Sequence, residues 1–220
     1  MSILVTGATG FLGANLVRHL LAQGEDVRIL VRSSSKAKPL IAQGAKAVVG
    51  DIADCQALQR ALPGVGVIYH LAGRLYTPDV PAKEYDRVHV QGTRALLDCC
   101  QKQPGLQRFI HVSTTGVIGI TGDRAADEHA TCAPTNAYEQ TKWQAEQLVR
   151  VALQRGLPAV IVRPGLVYGP GDLHLLGFFR TIRSKLFRPI GRRPVWLHPI
   201  YVDDHTEALV RCARHPHTVG

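Results

Sequence analysis

The sequence predicts a doubly wound α/β fold built on a parallel sheet. Three observations carry that prediction. Short apolar runs rich in β-branched residues, such as Ile3-Leu4-Val5 and Val27 to Val31, alternate with longer amphipathic stretches. The runs are continuously apolar, as strands covered on both faces require. The first run opens into a glycine-rich turn, Gly7-Ala8-Thr9-Gly10-Phe11-Leu12-Gly13, directly before an amphipathic stretch. Right-handed crossovers between such units give the Rossmann arrangement, with chemistry at the carboxyl ends of the strands.

The elements follow in order. Ile3 to Val5 is the first strand, and Phe11 to Leu21 is a helix ending near Gly24. Val27 to Val31 and Ala45 to Val49 read as the next two strands. Asp54 is placed to cap a helix reaching Leu62, where Pro63-Gly64 stops it. Val67 to Leu71 is the fourth strand, and Tyr85 to Gln103 is a long helix stopped by Pro104-Gly105. Phe109 to Val112 is the fifth strand, Ala137 to Gln154 a second long helix, and Ala159 to Val162 the sixth strand. A last helix spans Asp204 to Ala213.

Composition narrows the function classes. With 220 residues, 45% of them hydrophobic and 20% charged, the chain is long enough for one sizeable core. No apolar run approaches the roughly 18 residues of a membrane span, so no membrane partner is expected. Met1-Ser2-Ile3 enters a strand with no basic leader region, so no signal peptide is read and a cytoplasmic protein is expected. The five cysteines are scattered and the ten histidines form no zinc-like spacing. Reduced thiols and no metal are expected. The net charge of +9 is spread along the chain, except that Arg180 to Arg193 holds six basic residues. This is most simply a solvated face, or an attraction for a phosphorylated ligand; no nucleic acid partner is expected.

The glycine turn has a physical reason. A tight strand-to-helix turn needs residues without Cβ, so that backbone can approach a pyrophosphate held at the positive helix end. Gly13 lets the helix pack close to the sheet. The spacing G-x-x-G-x-x-G differs from the general G-x-G-x-x-G fingerprint. In this setting it resembles the extended short-chain dehydrogenase/reductase family, also called the NAD-dependent epimerase/dehydratase family. The resemblance continues through Gly50-Asp51, His70-Leu71-Ala72-Gly73, Gly92-Thr93, Ser113 to Gly119, Tyr138-x-x-x-Lys142, Arg163-Pro164-Gly165-x-x-Tyr168-Gly169-Pro170-Gly171 and His198-x-x-Tyr201-Val202-Asp203-Asp204, in the family's order. It implies that Gly7, Thr9, Gly10, Phe11, Leu12 and Gly13 form the cofactor turn. Asp51 and Ile52 would border the adenine, Ala72 and Gly73 would pass the cofactor's middle, and Pro164 would join the cofactor site.

The end of the second strand bears on cofactor choice. An acid there would bond the ribose 2′-hydroxyl of NAD. This chain instead has Arg32-Ser33-Ser34-Ser35-Lys36. A guanidinium fork suits a 2′-phosphate, so NADP(H) is expected over NAD(H), which stays possible.

Tyr138 and Lys142 lie four apart on one helix face. A nearby ammonium is expected to lower the phenol's pKa, fitting tyrosine for acid–base work. The resemblance adds bonds from Lys142 to the nicotinamide ribose. It also places the substrate-holding hydroxyl at Thr114, with Ser113 and Thr115 as neighbours that a one-residue shift would promote. His89 stands where the family often has asparagine, and either substitutes for it or only packs. Thr115-Gly116 replaces the acidic pair of the family's dehydratases, which argues against dehydration.

An NAD(P)-dependent oxidoreductase acting on the hydroxyl/carbonyl pair of a small organic molecule is therefore the leading reading. A nucleotide-sugar epimerase with tightly held NAD is the second, kept open by the basic stretch, and a non-catalytic NADP-sensing or RNA-binding protein the third. Residues 1–170 are expected to form the cofactor domain. Residues 171–220 are expected to be a partial substrate region with a returning strand and helix, shortened relative to the family. A homodimer through the two long helices is expected from the resemblance.

Overall fold

The computed structural model describes residues 1–101, 103–122, 125–188, 191, 196–216 and 218. Six parallel strands form one sheet in the order β3-β2-β1-β4-β5-β6. They are β1 (Ser2–Thr6), β2 (Val27–Val31), β3 (Lys46–Val49), β4 (Val65–His70), β5 (Arg108–Val112) and β6 (Ala159–Val162). The order reverses beside β1, so a crevice opens between the ends of β1 and β4. The expected doubly wound sheet is what the chain forms.

Each face of the sheet carries its own apolar layer. On one side Val5, Leu16, Leu20, Ile29, Tyr69 and Ile110 pack with Leu209 and Val210. On the other, Leu4, Leu58, Ile68, Leu96, Phe109 and Val149 form the second layer. The first is covered by α1 (Phe11–Ala22), α2 (Ser34–Ile41) and α8 (Val202–Arg214); the second by α3 (Cys55–Ala61), α5 (Gly92–Cys100) and α6 (Ala137–Gln154). Asp54 caps α3 as expected, accepting from Gln56 N and Ala57 N at 2.9 and 3.2 Å.

The structure differs from the sequence reading in several places. Ser34–Ile41 is a helix where the sequence reading assigned no element; Ala37 and Leu40, three apart, bury its inner face. The helix expected from Tyr85 begins at Ala82 as α4 (Ala82–Asp86), passes through a π-helical turn at Arg87–Gln91, and ends with α5 at Cys100 rather than Gln103. One short strand was unread, β7 (Leu166–Tyr168); it pairs in parallel with β8 (Pro199–Tyr201), which stands where a returning strand was expected before the last helix. Also unread was α7 (Leu176–Arg183), which buries none of its residues. The final helix is longer than read, Val202–Arg214, and packs against α1 and β5. Of the basic stretch, Arg192 and Arg193 lie outside the described residues.

Candidate active site

The carboxyl ends of β1, β2, β3 and β4 surround a cavity of about 640 Å³. Gly7, Thr9 and Gly10 form one wall, Arg32, Ser33 and Lys36 a second, and Asp51, Ile52, Ala72 and Gly73 a third. Gly7 takes φ +71°, and a Cβ there would lie 2.5 Å from Leu71 O. A Cβ on Gly13 would run into Gly7 O, so that glycine sits behind the turn and lets α1 close on it. Phe11 and Leu12 open α1 there but are not part of the cavity wall. Gly10 caps α1 without a side-chain bond, and the first turn carries no acid. Its backbone N–H groups thus face an anion without competition. A glycine cradle, an uncapped helix start and two flanking cations fit a dinucleotide's phosphates.

Asp51 is partly buried. Burial works to raise its carboxyl, but the Ala53 N–H and Arg87, at 3.1 Å each, outweigh that and hold it below the usual range. Arg87, Thr6 and Arg74 are contributors that the sequence reading did not name. Thr6 Oγ1 accepts from Ala72 N at 3.2 Å and bonds His70 Nδ1 at 2.8 Å. His70 Nε2 then meets Thr93 Oγ1 at 2.9 Å. Burial, then Lys142, holds His70 neutral at about 3. This buried chain fixes the loop after β4; His70 and Thr93 belong to two of the motifs that carry the family resemblance.

Thr114, Tyr138 and Lys142 stand outside that wall, at the start of α6 and the end of β5. Asn136 caps α6 by accepting from Glu139 N at 3.0 Å, while Glu139 Oε2 reaches back to Thr135 N at 2.7 Å. This capping-box-like pair sets where the helix begins, and hence where Tyr138 and Lys142 point. Lys142 is buried and donates to Val112 O at 2.5 Å. Burial depresses its pKa to about 8, with Glu146 opposing. Thr114 Oγ1 accepts from Gly116 N at 3.2 Å. Pro164 O accepts from Thr115 N at 3.0 Å, which ties the loop after β6 to Thr114's own loop.

The expected lowering of the Tyr138 phenol is corrected. Burial raises it, the neighbouring Thr114 hydroxyl opposes that rise, and Lys142 is not among the groups acting on it. With the ammonium turned to Val112 O, desolvation wins.

His89 joins the two groups. It sits in the π-helical turn with its ring 5.6 Å from that of Tyr138, edge-on. Its Nε2 accepts from Arg74 N at 3.0 Å, so Nδ1 carries the hydrogen and donates to Thr141 Oγ1 at 2.9 Å. Thr141 passes its own hydrogen to Ala137 O at 2.8 Å. Burial, with Lys142 adding to it, keeps the ring neutral at about 3. The histidine thus ties the Gly73-Arg74 loop to the helix that carries Tyr138, beyond mere packing.

The family model described as NAD dependent epimerase/dehydratase matches residues 3–220. The chain belongs to that family. The extended short-chain dehydrogenase resemblance drawn from the motifs is borne out, and the family and relatives are enzymes. This epimerase/dehydratase-family chain is 40% identical over 185 residues to Sterol demethylase protein B of Methylococcus capsulatus, covering 83% of this chain and 56% of the relative. It is 35% identical over 192 residues to 4-hydroxy-2-methyl-3-oxo-4-farnesyl-3,4-dihydroquinoline-1-oxide ketoreductase of Stigmatella aurantiaca, covering 86% and 57%. The chain therefore spans just over half the length of these relatives. Among solved structures, UDP-glucuronic acid 4-epimerase from Bacillus cereus, in complex with UDP-glucuronic acid and NAD, superposes with a TM-score of 0.86 at 26% identity. That match covers all of this chain and 75% of the epimerase.

Proposed function

We propose that the protein is an NADP-dependent reductase of a carbonyl on a small organic molecule. The observation that carries this is a partly buried phenol kept protonated beside the Thr114 hydroxyl, on a helix tied to the cofactor crevice. A nicotinamide bound in the crevice would supply the hydride. Tyr138 Oη, raised by burial, holds its proton at neutral pH and gives it to the carbonyl oxygen. Thr114 Oγ1 donates a hydrogen bond to that oxygen and orients it. Lys142, whose ammonium donates to Val112 O, would bond the nicotinamide ribose. The ketoreductase relative favours the same direction. Residues 1–170 would serve as the cofactor unit, with the substrate region beginning after Pro170. The cytoplasm and a homodimer through α4–α5 and α6, where Val151 is exposed, complete the reading.

The test is the pH dependence of NADPH-driven reduction of a ketone panel. Below the folded-state value of about 8 Lys142 is charged, and the charge is lost as pH rises through it. The kcat/KM for reduction should hold level up to about pH 8 and fall above it, and Lys142→Arg should carry the falling limb to higher pH. A profile that rises through pH 8 would refute the assignment.

Cofactor choice has its own test. Arg32, with Ser33 and Lys36, lines the crevice where NAD enzymes of this fold place an acid. Charge-assisted bonds of about 1.5–3 kcal/mol correspond to roughly 10- to 150-fold in affinity. Arg32→Ala should weaken NADPH binding by that factor and leave NADH nearly untouched. Equal losses for both would place Arg32 outside the 2′-phosphate site.

A second reading, an epimerase retaining NAD, is favoured by the likeness to the Bacillus cereus epimerase. Stoichiometric NAD surviving purification would support it over the reductase.

A further inference from the structure

One wall of the crevice is a loop anchored at both ends by the helical segment behind it. Gly73 and Arg74 line the crevice. A Cβ on Gly73 would lie 3.5 Å from His89 Nε2, and that same nitrogen accepts from Arg74 N at 3.0 Å. Further along, the Tyr85 hydroxyl accepts from Thr77 N at 2.9 Å and donates to Thr77 O at 3.1 Å. The hydroxyl's only hydrogen is spent there. Thr77 Oγ1 donates to Leu75 O at 3.2 Å and stiffens the span between the anchors. Tyr85 belongs to α4 and His89 to the π-helical turn; both are buried.

The two anchors also meet the phenol of Tyr138. Ring centroids are 5.8 Å apart for Tyr85 and His89, 6.1 Å for Tyr85 and Tyr138, and 5.6 Å for His89 and Tyr138. The three rings form a closed triangle. Two of its corners hold the crevice loop, and the third is Tyr138. Both contacts to Tyr138 are edge-on, a directional arrangement, and rings packed at interior density do not shift singly. We propose that Tyr85 is a positioning residue that couples the crevice loop to Tyr138, so that a nucleotide seated against Gly73 also fixes the phenol. The inference rests on the proton-donor role proposed for Tyr138, and extends it to a residue that touches neither cofactor nor substrate.

Tyr85→Phe keeps the ring and deletes both bonds to Thr77. Thr77 is exposed, so water takes over its backbone groups and the variant should melt like the parent. Hydrogen exchange of the 220-residue chain, read by mass spectrometry with and without saturating NADPH or NADH, tests the coupling without any turnover. In the parent the nucleotide should slow exchange at residues 7–13, 73–77 and 137–141. In Tyr85→Phe the protection should persist at 7–13 and be lost at 137–141. In ketone reduction the same variant should lose about tenfold in kcat, with KM for NADPH within about twofold of the parent, because misplacement costs rate rather than binding. Parent protection confined to 7–13 would overturn the inference. So would protection at 137–141 that survives Tyr85→Phe, or a variant that loses protection at 7–13 as well, which would make Tyr85 a general support of the fold. Absent turnover in the parent, with the exchange pattern intact, would refute the reduction and uphold the coupling.

Discussion

Tyr138→Phe should reduce turnover by about 10²- to 10⁴-fold, the usual contribution of a positioned general acid. At about 1.36 kcal/mol per decade this is roughly 3–5 kcal/mol of barrier. The substitution removes one oxygen from a ring packed edge-on against Tyr85 and His89, so the shape of the site persists. NADPH binding should therefore be unchanged, and the loss should fall on kcat. Single-turnover kinetics with saturating NADPH separate the two. Turnover within about threefold of the parent would remove Tyr138 from the proton-transfer role. The raised phenol adds a directional expectation. The free protein carries the proton that reduction consumes, and alcohol oxidation must first remove it, so oxidation should be favoured only at alkaline pH.

The second large effect concerns stability. Glu146 is fully buried one turn beyond Lys142. Its carboxylate takes Arg163 Nε at 3.0 Å and Nη2 at 2.5 Å, and Arg150 Nη2 at 3.0 Å. Burial alone would raise this carboxyl, but Arg163 first and Arg150 after it hold it below the usual range. Both guanidinium groups also stand near the Trp143 ring, at 5.8 and 6.0 Å. Glu146→Gln keeps the volume and deletes the charge, leaving the largely buried Arg163 uncompensated. Breaking such a pair costs about 3–5 kcal/mol. Urea denaturation should show a loss of that size, and Glu146→Met with Arg163→Met should recover much of it. A loss under about 1 kcal/mol would mean that water reaches the pair. Glu146 also supports the charge on Lys142, so the alkaline limb of activity should move below pH 8 in Glu146→Gln. Linkage gives the same network an acid limit. The folded carboxylate is more acidic than the unfolded one, so its stabilisation is present above the unfolded value and lost as pH falls through the folded one.

The sheet was legible because buried parallel strands leave uninterrupted apolar runs, and Val27–Val31 was read to the residue. The phosphate turn was legible because its glycines answer a backbone requirement that few other residues meet. Helix α2 was not, since Pro39 and three serines carry the local signature of a loop while two buried side chains hold it helical. The short strand β7 was lost because three residues carry no periodicity. At the candidate site, Tyr138 and Lys142 could be picked out by spacing, yet the state of the phenol could not. That depends on where the ammonium turns, and Val112 O comes from a strand distant in sequence. The His89 link was hidden for the same reason: Arg74 and Thr141 meet it only in three dimensions.

The π-helical turn at Arg87–Gln91 amounts to one surplus residue in an otherwise regular helix. Tyr85 just upstream of it and His89 within it face the Tyr138 ring on α6; downstream, Gly92 lies so close to Ile52 that a Cβ would come within 2.6 Å of its Cγ2. An uninterrupted α-helix would lock these two halves at a fixed 100° per residue. The surplus residue acts as a phase adjuster, letting one rod satisfy two neighbours whose demands are incommensurate. Excising a single position there would force a choice between the Ile52 side and the Tyr138 side.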